Sequence, residues 1–251
     1  FRVLFTDAPW KALAAVAAMS AVGLAVYAGF VRFVERRPVS ELALPGMGGQ
    51  LAMGMALGAG LYGLCILLLV LLGNYSVVGL NPWQALLPPL AMALGSGVME
   101  ELMYRGALFR IVEDAFGSWV SLAVSSLVFG ASHLANPQAT LLGAVFISVE
   151  AGLLLAAVYM ATRRLWMCMG LHAAWNFAQV GVFSGNVSGV ASAPGLLKAT
   201  VQGPELLTGG AFGVEASVVA FGVCTTAGVL MLLLAMRRGH LRPPFWARPG
   251  R

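Results

Sequence analysis

The stretch MEELMYRGALFR, Met99–Arg110, decides the reading of this chain, because it sets two adjacent carboxylates and an arginine into a run otherwise apolar enough to lie in lipid. A charged side chain near a bilayer centre costs about 2.5–3.5 kcal/mol on insertion scales, so these groups are expected to face protein or trapped water. On a helix Glu101 and Arg105 are four residues apart and can pair on one face, whereas Glu100 is turned by about 100° and points elsewhere. The expectation is that Glu101 is satisfied structurally and Glu100 is left free for chemistry. The simpler reading, a buried ion pair that only locks helix packing, explains one glutamate but not two.

Outward from this stretch the chain is greasy throughout. Of 251 residues, 59% are hydrophobic and 10% charged, and mean hydropathy is +0.85, outside the range of soluble globular proteins. The fold class expected is all-α: a polytopic membrane bundle of about seven transmembrane helices forming one integral membrane domain over residues 1–251. The apolar runs are Ala12–Val31, Leu51–Leu72, a third from Trp83 into the two glutamates, Trp119–Leu134, Thr140–Ala161, Leu165–Phe183 and Ala216–Met236. Between them, Gly73–Pro82 reads as a turn, Arg110–Asp114 as an interfacial exit from the membrane, and Ser184–Gly213 as a long extramembrane loop.

Basic residues orient this path. Arg32, Arg36, Arg37, Arg110, Arg163, Arg164 and five tail arginines fall on one side, against Arg2, Lys11 and Lys198 on the other. The positive-inside rule then puts the N-terminus outside and the C-terminus in the cytoplasm. Because the net charge of +5 flanks apolar runs instead of forming a stripe, it marks topology and excludes a nucleic-acid partner. Cys65, Cys168 and Cys224 all lie in apolar runs, which argues against disulfides or a thiolate metal site.

Once the charges at span ends are set aside, Glu100, Glu101, Arg105, His133, Glu150, His172 and Asn176 remain at membrane depth. His172 and Asn176 are i and i+4 on one helix, as are Phe129 and His133 on another, so each pair can aim at one spot. Together these groups suit acyl transfer to water. Glu100 takes a proton from water, His133 holds the same water or relays the proton, and His172 with the Asn176 amide donates to the oxyanion that develops on a carbonyl. Ser125, Ser126 and Ser132 read as small packing residues. Helix geometry leaves one discrepancy: Glu100 and His133 lie about 25 Å from a turn near Gly117, but His172 only about 12 Å from Arg164.

The order Glu-Glu-x-x-x-Arg at 100–105, Phe-x-x-x-His at 129–133 and His-x-x-x-Asn at 172–176 resembles the CPBP family of intramembrane proteases, also called the CAAX protease and bacteriocin-processing (Abi) family. The resemblance covers residues 82–183, with a weaker echo in LLTGGAFGVEAS, Leu206–Ser217. It implies an intramembrane peptidase in which Glu100 and His133 activate water, His172 and Asn176 stabilise the oxyanion, and Glu101 with Arg105, backed by Phe129, shapes the site. It implies as partners the lipid bilayer and a membrane-associated or lipid-modified protein or peptide substrate, and as location a prokaryotic cell (inner) membrane. Glu150 departs from the family pattern and either lines the substrate cavity or pairs with a neighbouring polar group. No cofactor is favoured: the chain lacks a His-Glu-x-x-His helix, and zinc would have to recruit Glu100, His133 and His172 from three helices. Proton-coupled transport is the rival from another class, although neither internal repeats nor matched broken helices are visible.

Overall fold

A computed structural model describes residues 8–247, which are mostly helical. The first helix, α1 (Pro9–Gly29), starts with proline in its first turn, where no backbone N–H partner is lost, and runs on through a π-helical turn, Phe30–Val34. Helix α2 (Met47–Leu71) follows Gly46, whose φ of 79° is left-handed and favours glycine. A third helical stretch, Trp83–Ala135, contains α3 (Leu87–Glu101), a π-helical segment Leu102–Phe109 and α4 (Arg110–Ser132). It is broken at Gly117, where φ is 81° and ψ 172°. Next come α5 (Leu141–Ile147) and α6 (Leu154–Thr162), joined by the π-helical Ser148–Leu153, and α7 (Leu165–Asn176), extended by the π-helical Phe177–Val182. The short α8 (Glu205–Thr208) precedes α9 (Val218–Arg237).

Among the described residues five helices are long and apolar enough to cross a membrane: Pro9–Val34, Met47–Leu71, Trp83–Ala135, Leu141–Thr162 and Val218–Arg237. Their outward faces are apolar, with Val22, Val26 and Leu71 all exposed, as lipid-facing surface should be. The segment Leu165–Val182 is not among the five. It carries His172, Asn176 and Gln179, and every residue from Leu165 to His172 is buried, so α7 is shielded by its neighbours instead of by lipid. Those neighbours approach closely. A Cβ on Gly54 or Gly58 of α2 would strike the backbone of α7 at Met167–Trp175, and one on Gly97 of α3 would strike Ala173. Such small-residue contacts let helices pack through their backbones, and here they fix the rotation of the helix that carries His172.

The connections gather into two groups. In the basic group, Arg37 bonds Glu35 and Glu41, each at 2.7 Å, Arg110 bonds Glu35, and Tyr27 donates to Glu41. There too Arg163 reaches Glu113 at 2.5 Å, Arg164 donates to the Ala43 carbonyl, and Arg242 pairs with Asp114. Burial alone would raise the Glu35 and Glu41 carboxyls, but hydrogen bonds from Arg110 and Arg37 to Glu35, and from Arg37 and Tyr27 to Glu41, outweigh it and hold both below the usual glutamate value. The Arg163–Glu113 pair also narrows the discrepancy in depth. Glu113, not Gly117, is the residue beside Arg163, and Gly117 lies beyond it, tucked against Arg242–Pro244.

The other group differs from the all-α expectation. Tyr75–Leu80 forms β1 and Leu197–Val201 forms β2, an antiparallel ribbon with an irregularity between Val77 and Gly79. The segments read as a bare turn and an irregular loop therefore satisfy each other's backbone groups. Asn81 donates to the Gly195 carbonyl and Asn136 to that of Ser188, which ties in the segment after α4. Through Arg110–Asp114 the chain stays helical, up to the break at Gly117. Arg2, Arg248 and Arg251, used to orient the path, lie outside the described residues.

Candidate active site

The carboxylates sit at the end of α3, where the chain passes into the π-helical Leu102–Phe109. Such segments occur frequently at functional sites. Glu101 and Arg105, both 0% exposed, pair at 2.8 Å as the spacing predicts. The same Glu101 oxygen, Oε1, also accepts from His172 Nδ1 at 2.8 Å, a bond that spacing along one helix could not show. Arg105 in turn donates from Nη2 to the carbonyls of Ala151 and Gly152, each at 3.0 Å, and its guanidinium lies 4.8 Å from the centre of the Phe129 ring. Both carbonyls belong to the π-helical Ser148–Leu153. One buried pair therefore joins α3, the α5–α6 connection, α4 and α7.

Against this knot lies a cavity of about 450 Å³, lined by Glu100, Phe129, His133, Glu150, His172, Asn176 and Glu215 among others. Glu100 is turned away from the knot as expected. Its side chain is 25% exposed, and its Oε2 lies 3.9 Å from His172 Nε2, too far for a direct hydrogen bond. That oxygen has no hydrogen-bond partner among the described residues. Because the Glu101 carboxylate can only accept, His172 presents N–H at Nδ1 and turns Nε2 to the cavity. Nε2 then accepts in the neutral ring and donates when the ring carries a second proton. His133 is organised alike: Nδ1 lies 2.7 Å from the Phe129 carbonyl, so the hydrogen is on Nδ1 and Nε2 is left as an acceptor.

Asn176 lines the cavity with its Nδ2 already donating to Ser96 Oγ at 2.9 Å, which leaves one amide hydrogen for another acceptor. Ser132 does more than pack: its hydroxyl donates to the Phe129 carbonyl and accepts from Tyr104, so it holds the turn that carries His133. Of the two readings of Glu150, the structure favours the cavity wall. The residue is 1% exposed, and both its carboxyl oxygens lack a partner among the described residues.

Sequence reasoning missed Glu215. It follows α8 on a 3-10 turn, Val214–Ala216, and its Oε2 accepts from Ser188 N at 2.6 Å and Ser188 Oγ at 3.1 Å. Burial pushes its carboxyl above the usual glutamate value, although these bonds oppose the shift. The available signal was the echo LLTGGAFGVEAS; no helical periodicity points Glu215 inward.

Among the described residues no three His, Cys, Asp or Glu side chains converge at metal-binding spacing.

Residues 82–178 match the sequence profile of a family described as Rce1-like, type II CAAX prenyl endopeptidase Rce1-like. The match spans less than half of the chain, includes all three motifs and ends before Glu215, and it supports assignment to the CPBP (CAAX protease) family. No curated protein and no solved structure matches the chain.

Proposed function

We propose that this chain is a CAAX-type intramembrane endopeptidase that hydrolyses a peptide bond of a membrane-associated or lipid-modified protein by glutamate-activated water. The observation that carries the reading is the facing pair of Glu100, with an unbonded oxygen, and His172 Nε2 across 3.9 Å of one cavity. A carboxylate with an unbonded oxygen facing a cavity can act as general base on a water held there. Glu100 takes a proton from water, assisted by the acceptor Nε2 of His133. The hydroxide oxygen bonds to the scissile carbonyl carbon, and the carbonyl π pair moves to oxygen. That oxyanion accepts hydrogen bonds from Nε2–H of doubly protonated His172 and from the second Asn176 amide hydrogen. When the C–N bond breaks, the proton held by Glu100 passes to the leaving amine, and Glu100 is restored.

The reading includes seven membrane crossings, with Trp83–Ala135 counted as two arms about Gly117 and Leu165–Val182 as a shielded seventh. The basic group of connections then faces the cytoplasm of a prokaryotic cell membrane, as the positive-inside rule requires. The mechanism is metal-free, in keeping with donors that do not converge.

The test is cleavage of prenylated and unprenylated CAAX peptides and of single-span membrane peptides by purified protein in bilayer discs, read by mass spectrometry. Glu100-dependent cleavage that persists after prolonged o-phenanthroline treatment supports the proposal. Uptake of a solute coupled to protons, with no cleavage, would replace it with a transporter. One zinc per chain whose removal and return switch cleavage off and on would keep the peptidase and overturn the metal-free mechanism.

A further inference from the structure

The proposed reaction uses Glu100 but neither of the other two cavity glutamates. Glu150 is 1% exposed and lines the cavity with two partnerless oxygens. Glu215, 3% exposed, lines the same cavity. Arg105, bonded to the Ala151 carbonyl next to Glu150 in sequence, is committed to Glu101 and to the carbonyls of Ala151 and Gly152, and it makes no ion pair with Glu150. Two carboxyls confined together with little solvent repel when both ionise, and an unpaired buried charge is strongly destabilising. A cation entering from the cavity relieves both costs. The wall of the same cavity also carries Ile147, Leu154 and Leu155. An apolar sleeve ending in carboxylates matches a long side chain that buries a hydrocarbon stem and offers a charged head. A bare metal ion fits less well, since no third His, Cys, Asp or Glu ligand converges there among the described residues.

Resting on the peptidase reading, we propose that Glu150 and Glu215 form an acidic subsite that receives a lysine or arginine side chain of the substrate near its scissile bond. Glu150 supplies the open carboxylate. Glu215, held by Ser188, is the fixed second wall and ties the specificity of the cavity to the segment between α8 and α9.

Two measurements on the full-length protein test this. In the first, n-butylammonium and n-butanol are compared by thermal unfolding of detergent-solubilised wild type, Glu150→Gln and Glu215→Gln. Saturable stabilisation by the ammonium alone is expected in wild type, and its loss in Glu150→Gln. In the second, fluorogenic peptides carrying lysine or its neutral counterpart norleucine at each position in turn are compared by kcat/KM. At one position lysine is expected to be preferred by about tenfold or more, with the ratio collapsing toward one in Glu150→Gln and falling in Glu215→Gln. The amide is neutral and nearly isosteric, so these variants preserve packing. Ammonium binding that is absent, or equal in wild type and Glu150→Gln, overturns the subsite, as do equal rates for every lysine and norleucine twin. Glu150-dependent ammonium binding without Glu100-dependent cleavage of any peptide upholds the cation site and removes the peptidase reading instead.

Discussion

Two regions of this molecule are crowded with charge, and they handle it in opposite ways. Where Glu35, Arg37, Glu41, Arg110, Glu113 and Arg163 meet, carboxylates face guanidiniums and the connections between helices are tied down. In the cavity, Glu100 keeps one oxygen unbonded and Glu150 keeps two. Burial does not distinguish the regions, since Glu41 and Glu113 are as hidden as Glu150. Pairing does. A buried charge with a partner is structure, and one without a partner is a cost that only a ligand or a reaction explains.

The largest expected effect is on turnover, at the unpaired side of the contrast. Glu100→Gln should lower kcat by about 10²–10⁴ while the protein stays folded, since general-base catalysis is worth that much. Combining it with His133→Ala or His172→Ala should add little, because groups acting in one step are not additive. Near-normal turnover by Glu100→Gln would break the comparison outright.

Arg105→Ala comes next and belongs to the paired side despite lying against the cavity. It strands Glu101 in a buried site and should cost about 3–5 kcal/mol of stability, read as a lower unfolding midpoint or lower yield in membranes. An Arg105→Ala protein as stable as wild type but inactive would move Arg105 into the reacting set.

His172 touches both sides, through Glu101 and toward Glu100. His172→Ala should lose about 10²–10³ in rate, the cost of one oxyanion donor. His172→Asn or His172→Gln, which keep a donor, should retain more activity. If all three substitutions are equally inactive, donation alone does not describe the role of His172.

The smallest effect is in the pH dependence of stability, where the two regions should slope oppositely. Glu41 is held below the usual glutamate value, so its contribution is present above that value and is lost as pH falls through the lowered one. Glu215 is held above it, so its contribution is present below the usual value and is lost as pH rises through the raised one. Unfolding midpoints of wild type minus Glu41→Gln should therefore grow from acid to neutral pH, and those of wild type minus Glu215→Gln should shrink. Parallel slopes would show that the difference in pairing does not reach titration.

The sequence made some of this legible and hid the rest for definable reasons. Glu101–Arg105 and the single helical face of His172 and Asn176 follow from helical spacing, and both are present. The bond from His172 to Glu101 joins residues 71 positions apart, so no local period carries it. Gly73–Pro82 and Ser184–Gly213 read as irregular because each strand lacks a partner nearby in sequence; β1 and β2 supply each other's. Glu215 was hidden for the same reason. Leu165–Phe183 reads as a span by its run of apolar residues, while burial among neighbouring helices, which periodicity does not show, places its His172 and Asn176 on the cavity wall.

The Glu101–Arg105 pair also bears on how such a chain enters a bilayer. Helices arrive in order during synthesis, so α3 is made well before α7 brings His172 or the α5–α6 connection brings the Ala151 and Gly152 carbonyls. Placing the two charges four residues apart lets them neutralise each other within their own helix while that helix is still alone. The later helices then find a pair already formed and add their bonds to it. Glu100 has no such companion within its helix. Like Glu150, it carries the expense of membrane entry unaided, so the residue that makes the proposed chemistry possible also burdens the birth of the protein.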